Sequence, residues 1–295
     1  MDITNIKRKR ILKEQGLLWL LLLPSLLGFT IFFIAPFGAS FYYAVINNVI
    51  QAEFVGFGNF VSVLKNFSFN LALRNTLLFM AFAVPLNMAT AFIMASLVRK
   101  AGRLRGLFAM LLTVPLVVPS GAVIFLWRAL FGLNGLLNKQ LYLLFETAPI
   151  NWLETRWALA VICVAFIWKN TGFNMILFMA GLDLIPDEYY EYAKIEGAGR
   201  LRLFTKITAV YLVPTSFLVF MMSIVNSFKS FREVFGLVGA FPNGRSYMMQ
   251  QYMNNLFLSF DLPQLTAAAY ILAAGLAVII FVMFRLQKKV GEKLD

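Results

Sequence analysis

Protein chemistry needs titratable or nucleophilic side chains at workable spacing, and this sequence is poor in them. Among 295 residues there is no histidine, one cysteine and only 14 acidic residues. The lack of histidine removes the commonest general base, proton shuttle and metal ligand. Cys163 lies in an apolar run, where a thiol serves as a small buried hydrophobe, and a lone cysteine excludes a disulfide within the chain. No glycine-rich loop ends in Lys-Ser/Thr, no Cys or His pair has ligand spacing, and no Gly-x-Ser-x-Gly elbow occurs. The chain therefore reads as a non-enzyme with no ATP-hydrolysing engine and no metal site of its own.

The densest cluster of charged and aromatic residues is the segment Ile185–Arg200, which contains Asp187, Glu188, Glu191, Lys194 and Glu196 with Tyr189, Tyr190 and Tyr192. Asp187 and Glu188 follow Pro186 and suit a helix N-terminus, since carboxylates face its positive dipole end. The pattern predicts a short helix to about Ile195, ended by Gly197 and Gly199, with Arg200, Arg202 and Lys206 beyond. Two readings stand: a solvated interfacial hairpin, or a docking knob for a partner protein.

A second group of polar residues is embedded in apolar runs: Asn87, Ser120, Lys169, Asn170, Asn174, Ser223 and Asn226. Polar groups at membrane depth are costly and face the bundle interior. An amide both donates and accepts, which suits the hydroxyls of a sugar. These residues, with Lys229, are candidates to line a solute pathway. The alternative is hydrogen bonding between helices. Lys169 and Arg128 have the further option of snorkelling or pairing internally. Lys229–Glu233, just after an apolar run, reads as a solvated turn, with contact to an anionic solute at an outer mouth as the alternative.

The elements that position these residues follow from composition. Sixty per cent of the residues are hydrophobic and 14% are charged, against about 25% charged in a soluble domain. A water-soluble fold cannot bury that much apolar surface, so lipid is the solvent for most of the chain. Six runs have the length to span a bilayer: 16–40, 75–98, 107–130, 157–182, 209–228 and 266–285. They must be helices, because an isolated strand in lipid leaves its backbone unpaired. Kinks are expected at Pro24, Pro36, Pro85, Pro115, Pro119 and Pro214. The run from Gly16 to Ala39 is too long for the core of a signal peptide and reads as a retained first span. No polar stretch is long enough for a second domain, so residues 1–295 read as a single all-α, polytopic membrane domain.

Charge sets the expected orientation. Of the 26 Lys and Arg residues, 17 fall in the tail 1–15, the loop between spans two and three, the loop 183–208 and the C-terminal tail; 7 fall in the segments 41–74, 131–156 and 229–265. Arg128 and Lys169 lie within spans. The excess places both termini and the 183–208 loop in the cytoplasm. The net charge of +12 is thus spent at membrane surfaces, and nucleic acid is not indicated. Trp152, Trp157, Tyr142 and Tyr252 in the outer segments suit interfacial anchors.

The 183–208 loop resembles the EAA loop of binding-protein-dependent ABC importer permeases. Glu191-Tyr192-Ala193 stands at the Glu-Ala-Ala triplet, Gly197-Ala198 at the glycine core, and Ile207 at the following isoleucine. Further likeness to the sugar-permease branch runs through Pro24–Gly28, Phe54–Gly56 with Asn59-Phe60, Asn75-Thr76, Trp168–Phe173 and Gly181–Pro186, so the resemblance covers nearly the whole chain. The chain departs from the pattern at Tyr192, where the family has alanine, at Glu196, where aspartate is usual, and at Ala209-Val210, where Leu-Pro is usual and proline comes only at Pro214.

The resemblance implies a type I ABC importer permease fold of about six transmembrane helices in a bacterial or archaeal inner or plasma membrane. It implies a homologous second permease, two cytoplasmic ATPase subunits that alone bind ATP and Mg, and an extracytoplasmic binding protein that delivers a sugar or oligosaccharide. Glu188, Glu191, Tyr192, Ala193, Glu196, Gly197 and Ala198 then belong to the coupling helix that contacts an ATPase. The rival is a secondary transporter of a small polar solute. Such a protein is expected to carry intramembrane acids or an inverted repeat, and neither is evident. Disaccharides, oligosaccharides and glycerol phosphate are not separated by sequence.

Overall fold

The structure, a computed structural model, describes residues 19–242 and 244–291. The predicted tail 1–15, the first residues of the predicted first span and Lys293 lie outside the described residues. Apart from one antiparallel bridge between Ile46 and Phe54, the regular structure described is helical. The helices are α1 (Trp19–Ala44, with a π turn at Thr30–Ile34), α2 (Gly58–Lys65), α3 (Phe67–Arg99), α4 (Arg105–Val117), α5 (Ser120–Phe131), α6 (Leu136–Phe145) and α7 (Ala158–Asp183). They continue as α8 (Asp187–Ile195), α9 (Arg200–Tyr211, with a π turn at Phe204–Thr208), α10 (Val213–Lys229), α11 (Phe231–Val238), α12 (Met249–Leu258) and α13 (Leu262–Gly291).

Five helical runs are long and apolar enough to cross a membrane: Trp19–Ala44, Phe67–Arg99, Ser120–Phe145, Ala158–Asp183 and Leu262–Lys288; the bent pair α9–α10 makes a sixth. α7 is the central helix, with more than half of its most apolar stretch buried, as expected of a helix that is hydrophobic all round. It packs along α3, where Ala91 and Ala95 let Met175, Phe178 and Met179 approach closely. α4 reaches α7 through Gly172, where an added Cβ would lie 2.8 Å from the Thr113 Cα. Small residues at such crossings let backbones meet in the absence of a hydrophobic drive between helices in lipid.

Several predicted boundaries change. α3 begins at Phe67, before the predicted 75, because Asn66 Oδ1 accepts from the Ser68 and Phe69 N–H groups at 2.8 and 3.2 Å and caps the helix early. The predicted third span, 107–130, is not one helix. It is α4 and α5, interrupted at Val118–Pro119, where Pro119 lacks an N–H and holds Val118 extended. The two halves still run together along α7: Arg105 meets Asp183, and Val123 packs with Ala165. The predicted fifth span, 209–228, begins at Arg200 and bends by 66° at Leu212. Pro214 cannot donate to the Val210 carbonyl, which opens the ladder at that point. Tyr252, expected at an interface, is buried edge-on against Phe69 with ring centroids 5.7 Å apart.

Candidate functional site

The segment after α7 forms the predicted helix–turn–helix. α8 starts directly after Pro186 with Asp187 and Glu188 in its first turn. It ends in a Schellman arrangement: Ala198 N–H donates to the Ala193 carbonyl at 2.9 Å and Gly197 N–H to the Lys194 carbonyl at 3.0 Å. Gly197 sits at φ +80°, a left-handed conformation in which glycine carries no Cβ penalty. Gly199 is extended and opens α9.

α8 is anchored on one side and open on the other. Arg99, the last residue of α3, contacts Asp183 at 3.4 Å and Asp187 at 3.3 Å; Arg105 pairs with Asp183 from α4. The Tyr190 and Thr208 hydroxyls lie 2.9 Å apart, and Tyr189 stacks on Tyr211 with centroids 5.3 Å apart. Buried Ile185 fixes the base of the hairpin. Glu188, Tyr192 and Glu196 are presented to solvent, Glu191 is exposed on the side of Asp187 and Lys194, Ala193 and Ala198 are partly covered and Gly197 is exposed. Tyr192 is 67% and Ile195 83% exposed. Large apolar side chains held in that way on a charged helix suit a protein partner. Between α8 and the end of α3 lies a cavity of about 710 Å³ lined by Arg99, Lys100, Asp187, Glu191 and Lys194.

Sequence reasoning did not connect Arg99, Asp183, Tyr190 and Thr208 to this knob. The available signal was the opposite charge at the ends of two spans that the orientation rule places on the same side.

The polar residues in the bundle fall into two groups. Asn87, Asn174 and Ser223 meet where α3, α7 and α10 cross, all inaccessible to solvent. Asn174 Nδ2 donates to Asn87 Oδ1 and, at 2.8 Å, to Ser223 Oγ; Asn87 Nδ2 donates at 3.2 Å to the Ile167 carbonyl and to Thr171 Oγ1. Asn174 Oδ1 has no hydrogen-bond partner among the described residues. These three side chains are therefore engaged between helices of this chain. The second group is Ser120, Lys169 and Asn170, gathered around Glu233 of α11. Lys169 Nζ pairs with Glu233 Oε1, and Ser120 Oγ donates to the same oxygen at 2.7 Å. Asn170 Nδ2 donates to the Phe166 carbonyl at 2.9 Å. Lys169 thus pairs internally. Asn226 is half-buried, and Lys229 and Arg128 are exposed. Glu233 does not face an outer mouth: α11 folds back into the bundle with Val234 and Leu237, and its carboxylate is buried against Lys169. Among the described residues no group of three or more Cys, Asp or Glu is placed to hold a metal ion.

The fold and the knob define a helical membrane protein with several candidate spans and an exposed charged helix between two of them. Over residues 87–295 the chain matches the family described as the binding-protein-dependent transport system inner membrane component, and it belongs to that family. It is 29% identical to the lactose transport system permease protein LacF of Rhizobium radiobacter, over 90% of this chain and 92% of that protein. It is 27% identical to the sn-glycerol-3-phosphate transport system permease protein UgpA of Agrobacterium fabrum, over 92% of this chain and 94% of the relative. The trehalose/maltose transport system permease protein MalF of Thermococcus litoralis is 29% identical over 81% and 83% of the two chains. In fold, the chain superposes with a TM-score of 0.80 on a chain of a bacterial ABC transporter involved in the import of the acidic polysaccharide alginate, at 22% identity, covering 96% of this chain and 99% of the other. The inner-membrane permease expectation and the type I importer fold hold.

Proposed function

We propose that this chain forms half of the translocation pathway of an ATP-driven importer, beside a homologous second permease, and carries a sugar or oligosaccharide delivered by an extracytoplasmic binding protein. The observation that carries the reading is α8: a short helix with acids in its first turn and a Schellman stop at its end, pinned to the bundle by Arg99 and Tyr190, and exposing Tyr192 and Ile195 beside acidic residues. Such a helix transmits force as a rigid body. An ATPase that grips it moves Asp183 at the end of α7 and, through α9, the bent helix α10. ATP and Mg belong to that partner, and both termini of this chain lie on its side of the membrane. The lactose and trehalose/maltose permeases among its relatives support a carbohydrate solute. The relative named for glycerol phosphate keeps phosphorylated polyols within the test.

The test is copurification. A tagged chain expressed with its neighbouring transporter subunits should bring down an ATPase, and Glu191→Lys should remove that ATPase while leaving the second permease bound. Retention of the full ATPase complement by Glu191→Lys, or ion-driven uptake by the purified chain alone in liposomes, would overturn the reading.

A further inference from the structure

α11 occupies an unusual place. Although it follows α10 in a segment expected outside the membrane, Val234 packs with Phe79, Ile162 and Phe166, and Leu237 packs with Val123, Trp127 and Ala165. Its Glu233 meets Lys169, which lies about 21 Å along α7 from Asp183 at 1.5 Å per residue. The charged pair therefore sits deep in the bundle, in the half away from α8. A cavity of about 20 Å³, the size of one water, adjoins it. Gly236 fits flush on α5, where an added Cβ would lie 2.7 Å from Ile124 Cγ1.

Buried ion pairs contribute no more to stability than apolar residues of similar volume, and charge at membrane depth marks function. Stability alone does not account for Lys169 and Glu233. α11 is joined to α10 by Ser230 alone and is followed by Gly239 at φ +81°. Ser120, the second partner of the carboxylate, is the first residue of α5, directly after the break at Val118–Pro119. Ser120 and Gly236 thus join α11 to α5 on the far side of that break.

We propose that the Lys169–Glu233 pair is a latch that holds α11 inside the bundle, with Ser120 joining the same carboxylate from the first turn of α5. Glu233 and Lys169 are positioning residues in this account, since they act by holding α11 in place. The proposal builds on the permease reading, but its test reads this chain's own geometry.

A cysteine introduced at Val234, which is buried, in a Cys163→Ser background reports the position of α11 by its rate of reaction with N-ethylmaleimide, which reaches both membrane faces. The full chain is labelled in membranes with its transporter subunits present. Glu233→Gln and Lys169→Met should each accelerate labelling about tenfold or more, the scale of a lost charged hydrogen bond. The exchange Lys169→Glu with Glu233→Lys should return the rate toward that of the parent. Ser120→Ala, which removes only a neutral donor and leaves both charges, should accelerate it about threefold. Equal rates in the parent and the single variants, or an exchanged pair that labels as fast as either single variant, would overturn the latch. Failure of a single variant to reach the membrane leaves the exchange and Ser120→Ala to decide it. Copurification of the ATPase is unaffected by either outcome, so the two tests fail separately.

Discussion

At the scale of single residues, the bundle depends on side chains that are missing as much as on those present. Gly172 lets the backbone of α4 touch α7. A methyl group there meets main-chain atoms, which cannot swing aside as a side chain would. Gly172→Ala should cost about 1–3 kcal/mol, the range for overpacking a well-packed site. The check is a lower unfolding temperature of the purified chain in detergent. Gly197 differs in kind: nothing lies within 4 Å of its missing Cβ, so the whole penalty is conformational. Gly197→Val places a β-branched residue at φ +80° and should cost about 1–2 kcal/mol locally. The expected result is a chain that inserts normally but supports less solute-stimulated ATP hydrolysis in the reconstituted transporter. Asn174, by contrast, is bound to both α3 and α10. Asn174→Ala should reduce stability by about 0.6–1.7 kcal/mol, the measured range for hydrogen bonds between membrane helices.

At the scale of elements, the α8–α9 hairpin owes its stiffness to a few contacts. The Arg99–Asp187 pair is partly exposed, with Asp187 largely in solvent, so it contributes little, at most about 1 kcal/mol, and less at high salt. The Tyr190–Thr208 hydrogen bond is better protected and joins the two arms directly. Tyr190→Phe keeps the ring in its apolar site and removes only that bond, at about 1 kcal/mol. Hydrogen exchange at the α8 amides should rise several-fold in the variant, while exchange in α7 stays unchanged. The other bent elements share one cause. Proline at 119 and at 214 removes a backbone donor within an apolar run, and in both places an apolar run becomes two jointed helices. The joints divide the bundle into bodies that can rotate against one another, which alternating access requires.

At the scale of the whole molecule, the proposed importer draws its energy from subunits other than this chain. Proteoliposomes holding both permeases, the ATPases and the binding protein should take up solute only with internal ATP, and a protonophore should leave the initial rate unchanged. Much of this was legible in the sequence. The number of apolar runs, the helical class and the place of the docking helix followed from local quantities: twenty-residue hydropathy, the proline–acid start and the glycine stop of α8. These depend on the solvent and on the nearest few residues, so they survive without knowledge of the fold. Family membership was also within reach, because the EAA-like loop is contiguous. The tertiary structure alone decided which polar residues meet. Asn87, Asn174 and Ser223 each looked equally suited to a pathway or to a helix contact, and only the crossing of α3, α7 and α10 joined them. Glu233 looked like a loop acid until α11 turned inward to Lys169, 64 positions earlier in the chain. A local reading cannot find such a partner, because the cost of burying a charge is settled by what the folded chain brings to it from far along the sequence.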